Sequence, residues 1–292
     1  MKIIDLHIHT NKSDGQLSPK QIIDEASKKG LYAIAISDHD TIDAYTEELI
    51  NYAKEKNIIL IPAVEISTKT NRCGIHVLGY NFDINNENFK NKLNLLRNSR
   101  HDYLYKVSDK LNELGYVINK EELDKIDSVT KAHISLDVIS NPLNEELLLK
   151  TFGHIPNKGE FIETIMNEGC PAYVKKQSIT PKEASELIKS ANGKVVLAHP
   201  VAYKYEDNLT ESDIEEIIKD MNPDGIEANY IYVDKHGEKI DEMDIWNKLG
   251  EKHNLICTVG TDFHNIDKMY LFIGDIKIKE EEIDKILDCL LK

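Results

Sequence analysis

Arginine is nearly missing from this chain. Of 292 residues, 36 are Lys or Arg, and Arg72, Arg97 and Arg100 are the only arginines. Carboxylates outnumber these cations at 51, for a formal charge of -15. A surface so acidic repels polyanions, which excludes passive, tight binding of long duplex DNA while leaving small phosphate esters open. No apolar run approaches the ~20 residues of a membrane span, so no membrane partner is expected. The start shows no charged segment followed by an apolar one, so no secretory leader is expected either. The four cysteines, Cys73, Cys170, Cys257 and Cys289, are scattered and form no Cys-x-x-Cys pair. That spacing excludes a zinc ribbon or dithiol motif and fits reduced thiols in the cytoplasm. Internal repeats, low-complexity tracts and Gly/Ser linkers are missing as well.

Histidines and carboxylates gather at the ends of apolar runs. The chain begins with Asp5-Leu6-His7-Ile8-His9-Thr10, and Asp14-Gly15 follows. Residues two apart on a strand face one side, so His7 and His9 point into one space. Similar groups recur in Ser37-Asp38-His39-Asp40, Val64-Glu65, Ile75-His76-Val77, Ala198-His199-Pro200 and Asp262-Phe263-His264. A single histidine at a strand end is usually a hydrogen-bonded core or rim residue. Nine such groups on successive strand ends have no packing explanation. Imidazole with carboxylate and no thiolate suits Zn, Mn or Fe. One ion cannot use nine ligands, and Glu65 is the natural bridge between two. His101, His133, His154, His236 and His253 fall outside this pattern.

The pattern of elements alternates. Strands are expected at Ile3–Ile8, Leu31–Ile36, Ile58–Ile66 and Gly74–Phe82. Helices are expected from Ser18-Pro19 to Lys29, with Gly30 as terminator, and from Asp40-Thr41 to Lys56. Strands apolar on both sides and separated by helices imply a parallel sheet. From about Asn85 to Gly169 the sequence is helical and charged, with Leu93, Leu96, Leu104, Val107 and Leu111 at helical spacing. Strands resume at Ala172–Val174, Lys194–Ala198, Gly225–Asn229, Leu255–Val259 and Leu271–Ile276, with a helix over Lys239–His253. The expected fold class is α/β: a barrel from residues 1–84 and 170–292, interrupted by a helical insertion over 85–169. Barrels of this kind place their sites at the C-terminal strand ends.

Together these motifs resemble the polymerase and histidinol phosphatase (PHP) family of metal-dependent phosphoesterases. The resemblance implies a distorted (β/α)7 barrel with two or three divalent metals, and an enzyme that cleaves phosphate esters by a metal-activated hydroxide. It implies one site of His7, His9, Glu65 and Asp262, a second of Glu65, His76 and His199, and a third of Asp14, His39 and His264. Glu65, Asp262, His39 and His199 carry the chemistry in this reading, with His199 or His39 protonating the leaving oxygen.

Ser13-Asp14-Gly15-Gln16-Leu17-Ser18-Pro19, together with the helical insertion, is similar to the branch acting on nucleotides. That branch hydrolyses 3′,5′-nucleoside bisphosphates or shortens RNA from its 5′ end. The resemblance carries phosphate binding onto Arg97 and Arg100, which share a helix face, and onto Lys131 and His133. Lys175 is a similar phosphate-binding candidate. The implied partner is a small phosphorylated substrate, a nucleotide or a short single-stranded RNA. The insertion is expected to hang over the strand ends as a substrate lid. The sequence leaves the oligomeric state open. Histidinol phosphate is the alternative substrate, and the insertion and the Asp14-Gly15 spacing weigh against it. A catalytically silent PHP scaffold usually loses ligands, and this chain keeps them. A metal-dependent amidohydrolase would need a bridging lysine where Glu65 stands.

Overall fold

The computed structural model describes residues 2–124, 129–175, 178–234, 236–265 and 271–292, and only the backbone of 100 and 101. Nine strands are described: β1 (Ile4–Ile8), β2 (Ala33–Ile36), β3 (Ile59–Lys69), β4 (Gly74–Tyr80), β5 (Lys194–Leu197), β6 (Gly225–Asn229), β7 (Ile231–Val233), β8 (Lys239–Asp241) and β9 (Ile256–Val259). The helices are α1 (Pro19–Lys28), α2 (Glu47–Glu55), α3 (Glu87–Glu113), α4 (Lys120–Leu123), α5 (Lys131–Ser140), α6 (Glu145–Phe152), α7 (Lys158–Phe161), α8 (Pro181–Ser190), α9 (Pro200–Glu206), α10 (Glu211–Met221), α11 (Met243–Lys252) and α12 (Glu280–Leu291). They form two compact units, Met1–Asn94 with Ser178–Lys292, and Leu95–Gln177.

The first unit holds a seven-stranded sheet in the order β1-β2-β3-β4-β5-β6-β9. Beyond β9 the chain comes back alongside β1. The Phe263 N–H donates to His7 O at 3.3 Å, and the His9 N–H donates to Phe263 O at 2.8 Å. The sheet is thereby nearly closed into a barrel. The strand interiors are apolar on both sides, with Leu6, Ala35, Ala63, Leu78 and Val196 in one cluster and Ile8, Ile34 and Ile36 in another. Helix α1 starts where Ser18 and Gln21 exchange side-chain bonds with each other's backbone, with Pro19 at the first position.

The sheet is not wholly parallel. β4 runs antiparallel to both β3 and β5. Only residues 70–73 separate β3 from β4, too few for a crossover, so the pair is a hairpin. Its reversal matters for the site. His76 stands near the start of β4 opposite Ser67, and so shares an end of the barrel with Glu65 on β3. His76 therefore does not sit at a C-terminal strand end.

Several expected elements differ. Ala172–Val174 is no strand. The Ala172 N–H is used by Ile165 O, and Tyr173 O accepts from Lys110 Nζ at 2.6 Å, which leaves no ladder to join. Leu271–Ile276 is a turn around Gly274 (φ 74), whose N–H goes to the buried Asp5 carboxylate. Asp40 has φ 51, so the helix waits for the Thr46 cap before α2. Residues Lys239–Asp241 pair with β7 before α11 begins.

The second unit is helical and has its own core, including Leu104, Val107, Leu111, Ile134, Leu148 and Phe161. No described helix is long and apolar enough to cross a membrane.

Candidate metal centre

Both faces of β1 are covered; it carries Asp5 and His7, His9 follows directly, and all three are buried. Asp5 ties β1 to the far end of the chain. It accepts from the Thr261 N–H and hydroxyl at 3.1 and 2.7 Å, and from the Gly274 N–H at 2.8 Å. Burial pushes its carboxyl up to about 6, against the pull of those donors. Asp38, after β2, accepts from Thr10 N, Thr10 Oγ1 and Ser13 Oγ, each at 2.7 Å. These bonds shape the loop that presents Asp14. A Cβ on Gly15 would lie 2.5 Å from the His9 carbonyl carbon, so only glycine lets that loop press so close.

Glu65 sits at the centre. Its Oε1 lies 2.9 Å from His76 Nδ1 and 3.0 Å from His199 Nε2. Its Oε2 lies 3.1 Å from His9 Nε2, 3.2 Å from His39 Nδ1 and 3.3 Å from His7 Nε2. Asp262 Oδ1 is 3.1 Å from His9 Nε2 and 3.3 Å from His7 Nε2. Asp14 reaches His9 Nδ1 at 3.2 Å, His264 Nε2 at 3.3 Å and His39 Nε2 at 3.6 Å.

Three overlapping groups can each hold an ion: His7, His9, Glu65 and Asp262; His39, Glu65 and His76; and His9, Asp14, His39 and His264. His199 joins the second through Glu65. His39 faces two ways, Nδ1 to Glu65 and Nε2 to Asp14.

The charge states follow from this crowding. Burial opposes the charge on Glu65 and Asp262, but the imidazoles around them hold both carboxyls well below the usual range. Asp14 is likewise lowered, chiefly by His264 and His9. Burial opposes protonation of His7, yet Glu227, Glu65 and Asp262 carry it well above the ordinary imidazole value. His9 is raised in the same way by Asp14, Asp262 and Glu65. His39 goes the other way, driven by burial to about 3.

Hydrogen bonds alone do not satisfy this cluster. His7 Nδ1 is committed to Glu227 at 3.0 and 3.1 Å, so a neutral ring turns its Nε2 lone pair towards Glu65 and Asp262. His7 Nε2 also faces His9 Nε2 at 3.1 Å. Among the described residues, Asp262 Oδ1 and His199 Nδ1 are buried with no hydrogen-bond partner. Imidazoles and carboxylates converging on a largely buried space are the surroundings a divalent cation needs, and the oxygen and nitrogen donors fit Mn, Zn or Fe.

Glu227 is the residue the sequence reading passed over. It is a lone carboxylate in the apolar run of β6, and that isolation was the available signal.

The phosphate-binding candidates belong to the second unit. Arg97 is half-buried on α3, and the Arg100 side chain lies outside the described residues. Lys131 Nζ donates to Asn167 Oδ1 at 2.8 Å. His133 Nδ1 accepts from the Thr130 N–H at 3.3 Å, in a capping box at the start of α5. Lys175 is exposed.

The nearly closed barrel and its histidine and carboxylate cluster define a metal-dependent hydrolase. The PHP domain family model matches residues 5–292, and the chain belongs to that family, as a metal-dependent phosphoesterase. Among curated proteins it is 30% identical over 269 residues to the 5′-3′ exoribonuclease of Haemophilus influenzae, covering 90% of each chain. It is 25% identical over 268 residues to the 3′,5′-nucleoside bisphosphate phosphatase of Chromobacterium violaceum, covering 90% of this chain and 88% of that one. Among solved structures it is similar in fold to a Bifidobacterium adolescentis protein assigned as a metal-dependent phosphoesterase. The TM-score there is 0.69 at 20% identity, over 100% of this chain and 97% of the other.

Proposed function

We propose that this chain hydrolyses phosphate esters of nucleotides or short oligonucleotides, such as nucleoside 3′,5′-bisphosphates or the 5′ ends of RNA. One observation carries the reading: a single buried carboxylate, Glu65, with five imidazole nitrogens at 2.9–3.3 Å. His7, His9, Glu65 and Asp262 would hold one divalent ion, and Glu65, His76 and His199 a second. Asp14, His39 and His264 would hold a third. Bound there, the ions supply the Lewis acidity that activates water and offsets phosphoryl charge. Of His199 and His39, the ring that no ion engages would protonate the leaving oxygen.

The two relatives named for nucleotide and RNA substrates support the substrate class. A cavity of about 580 Å³ beside the cluster adds to this, lined by Asp14, Tyr230, Ile231, Val233, Asp262 and His264. Its volume suits the organic part of a nucleotide. Arg97, Arg100, Lys131, His133 and Lys175 would take the substrate's other phosphate. Four cysteines without disulfides accord with a cytoplasmic enzyme.

The test is phosphate release with Mn, Zn or Fe added. Substrates are 3′,5′-bisphosphates, 5′-phosphorylated RNA, duplex DNA and histidinol phosphate. Rapid turnover of the first two is expected. Hydrolysis of histidinol phosphate alone would overturn the substrate assignment.

A further inference from the structure

We infer that Glu227 is a positioning residue of the metal centre, fixing the ring of His7 and the backbone of His199 with one carboxylate. The inference rests on the metal centre proposed above. Glu227 is buried on β6, and both its oxygens lie at 3.0–3.1 Å from His7 Nδ1. A carboxylate accepts only, so His7 keeps a proton on Nδ1, and the proton an ion would displace is the one on Nε2, which faces Glu65 and Asp262.

The same carboxylate works on a second candidate ligand. Glu227 Oε2 accepts the backbone N–H of His199 at 2.9 Å. His199 has φ 21 and ψ 64 and precedes Pro200. A residue before proline disfavours such a conformation, and it persists only where neighbours impose it. The bond from Glu227 is one such restraint, and it aims His199 Nε2 at Glu65.

Room for this arrangement comes from a third place in the chain. A Cβ on Gly260 would fall 2.3 Å from Glu227 Oε1 and 2.3 Å from His7 Cβ. Gly260 therefore serves by close approach, and its substitution should disturb Glu227 and His7 together.

The experiment compares wild type, Glu227→Gln and Glu227→Ala as full chains. Zinc affinity is measured by chelator competition, and the hydrogen bond of His7 Nδ1–H by the resonance of that proton in ¹⁵N-histidine NMR of the zinc-loaded protein. Melting of the metal-free protein reports folding separately. Glu227→Ala should weaken zinc binding by about 10–100-fold, the range for losing such a partner. It should also shift the His7 Nδ1–H resonance, which loses its carboxylate acceptor. Glu227→Gln keeps one acceptor and should restore part of the affinity. A merely structural role would lower the melting temperature and leave that resonance alone. Unchanged zinc affinity and an unmoved His7 Nδ1–H resonance in both variants would overturn this inference alone, with Glu227→Gln deciding if the alanine variant does not fold. Failure of the wild type to bind zinc would overturn the metal centre and this inference with it.

Discussion

Replacing Tyr45 by Phe removes one oxygen atom, and the structure makes that oxygen matter. Ile36 on β2 pairs with Pro62 on β3, and Pro62 has no N–H for the ladder. The Tyr45 hydroxyl stands in this break. It accepts from Ile36 N at 3.0 Å and Ala63 N at 2.8 Å. Its own proton goes to the Ile36 or the Ile61 carbonyl, 2.7 and 2.8 Å away. Phenylalanine would strand two buried N–H groups, each costing about 1–3 kcal/mol. With partial relief by an entering water, the loss is about 3 kcal/mol, or roughly 6 °C in Tm for a chain this long. Thermal unfolding of the metal-free protein, followed by circular dichroism, measures it. His39 and Glu65 each lie three residues beyond the paired Ile36 and Pro62, so metal affinity should fall as well. A Tm indistinguishable from wild type would refute the ladder-repair role.

Glu65→Ala should strip the centre, since one carboxylate serves all the imidazoles nearest it; bound metal by elemental analysis should fall and turnover should vanish. Metal loading should drop on acidification, because His7, His9 and His199 are raised above 6.5 and an ion must displace their protons. Without metal the sign reverses: those raised histidines stabilise the fold fully below about 6.5 and lose that contribution as pH rises through their folded values, so melts of loaded and stripped protein should diverge with pH. Arg97→Ala should raise KM and lower kcat/KM on a bisphosphate substrate by about 1–3 kcal/mol, with metal content unchanged. Indifference of kcat/KM to that change would remove Arg97 from substrate binding.

The barrel strands and the clustered histidines and carboxylates were legible because they form, or break, an apolar pattern at a fixed spacing. His7 and His9 announce a shared face by their separation alone, and Glu65 stands out in the apolar stretch of β3. What escaped depended on where backbone bonds go. Ala172–Val174 has the composition of a strand, but its polar groups are already spent on Ile165 and Lys110. The antiparallel course of β4 lies in the shortness of the 70–73 tip. Glu227 escaped because its partners, His7 and His199, are distant in sequence and meet it only in the folded barrel.

The closure of the barrel by Phe263 against β1 has a consequence for synthesis. His7 and Asp262 are 255 residues apart (262 − 7), so translation at about 5–20 residues per second separates them by roughly 13–50 seconds. For that interval a nascent chain exposes His7, His9 and Glu65 with no Asp262, and β1 keeps an unpaired edge. Such an edge invites the wrong strand. Contacts this distant in sequence also form slowly. Hydrolytic activity should therefore appear late, only once the segment carrying Thr261, Asp262 and Phe263 docks against β1.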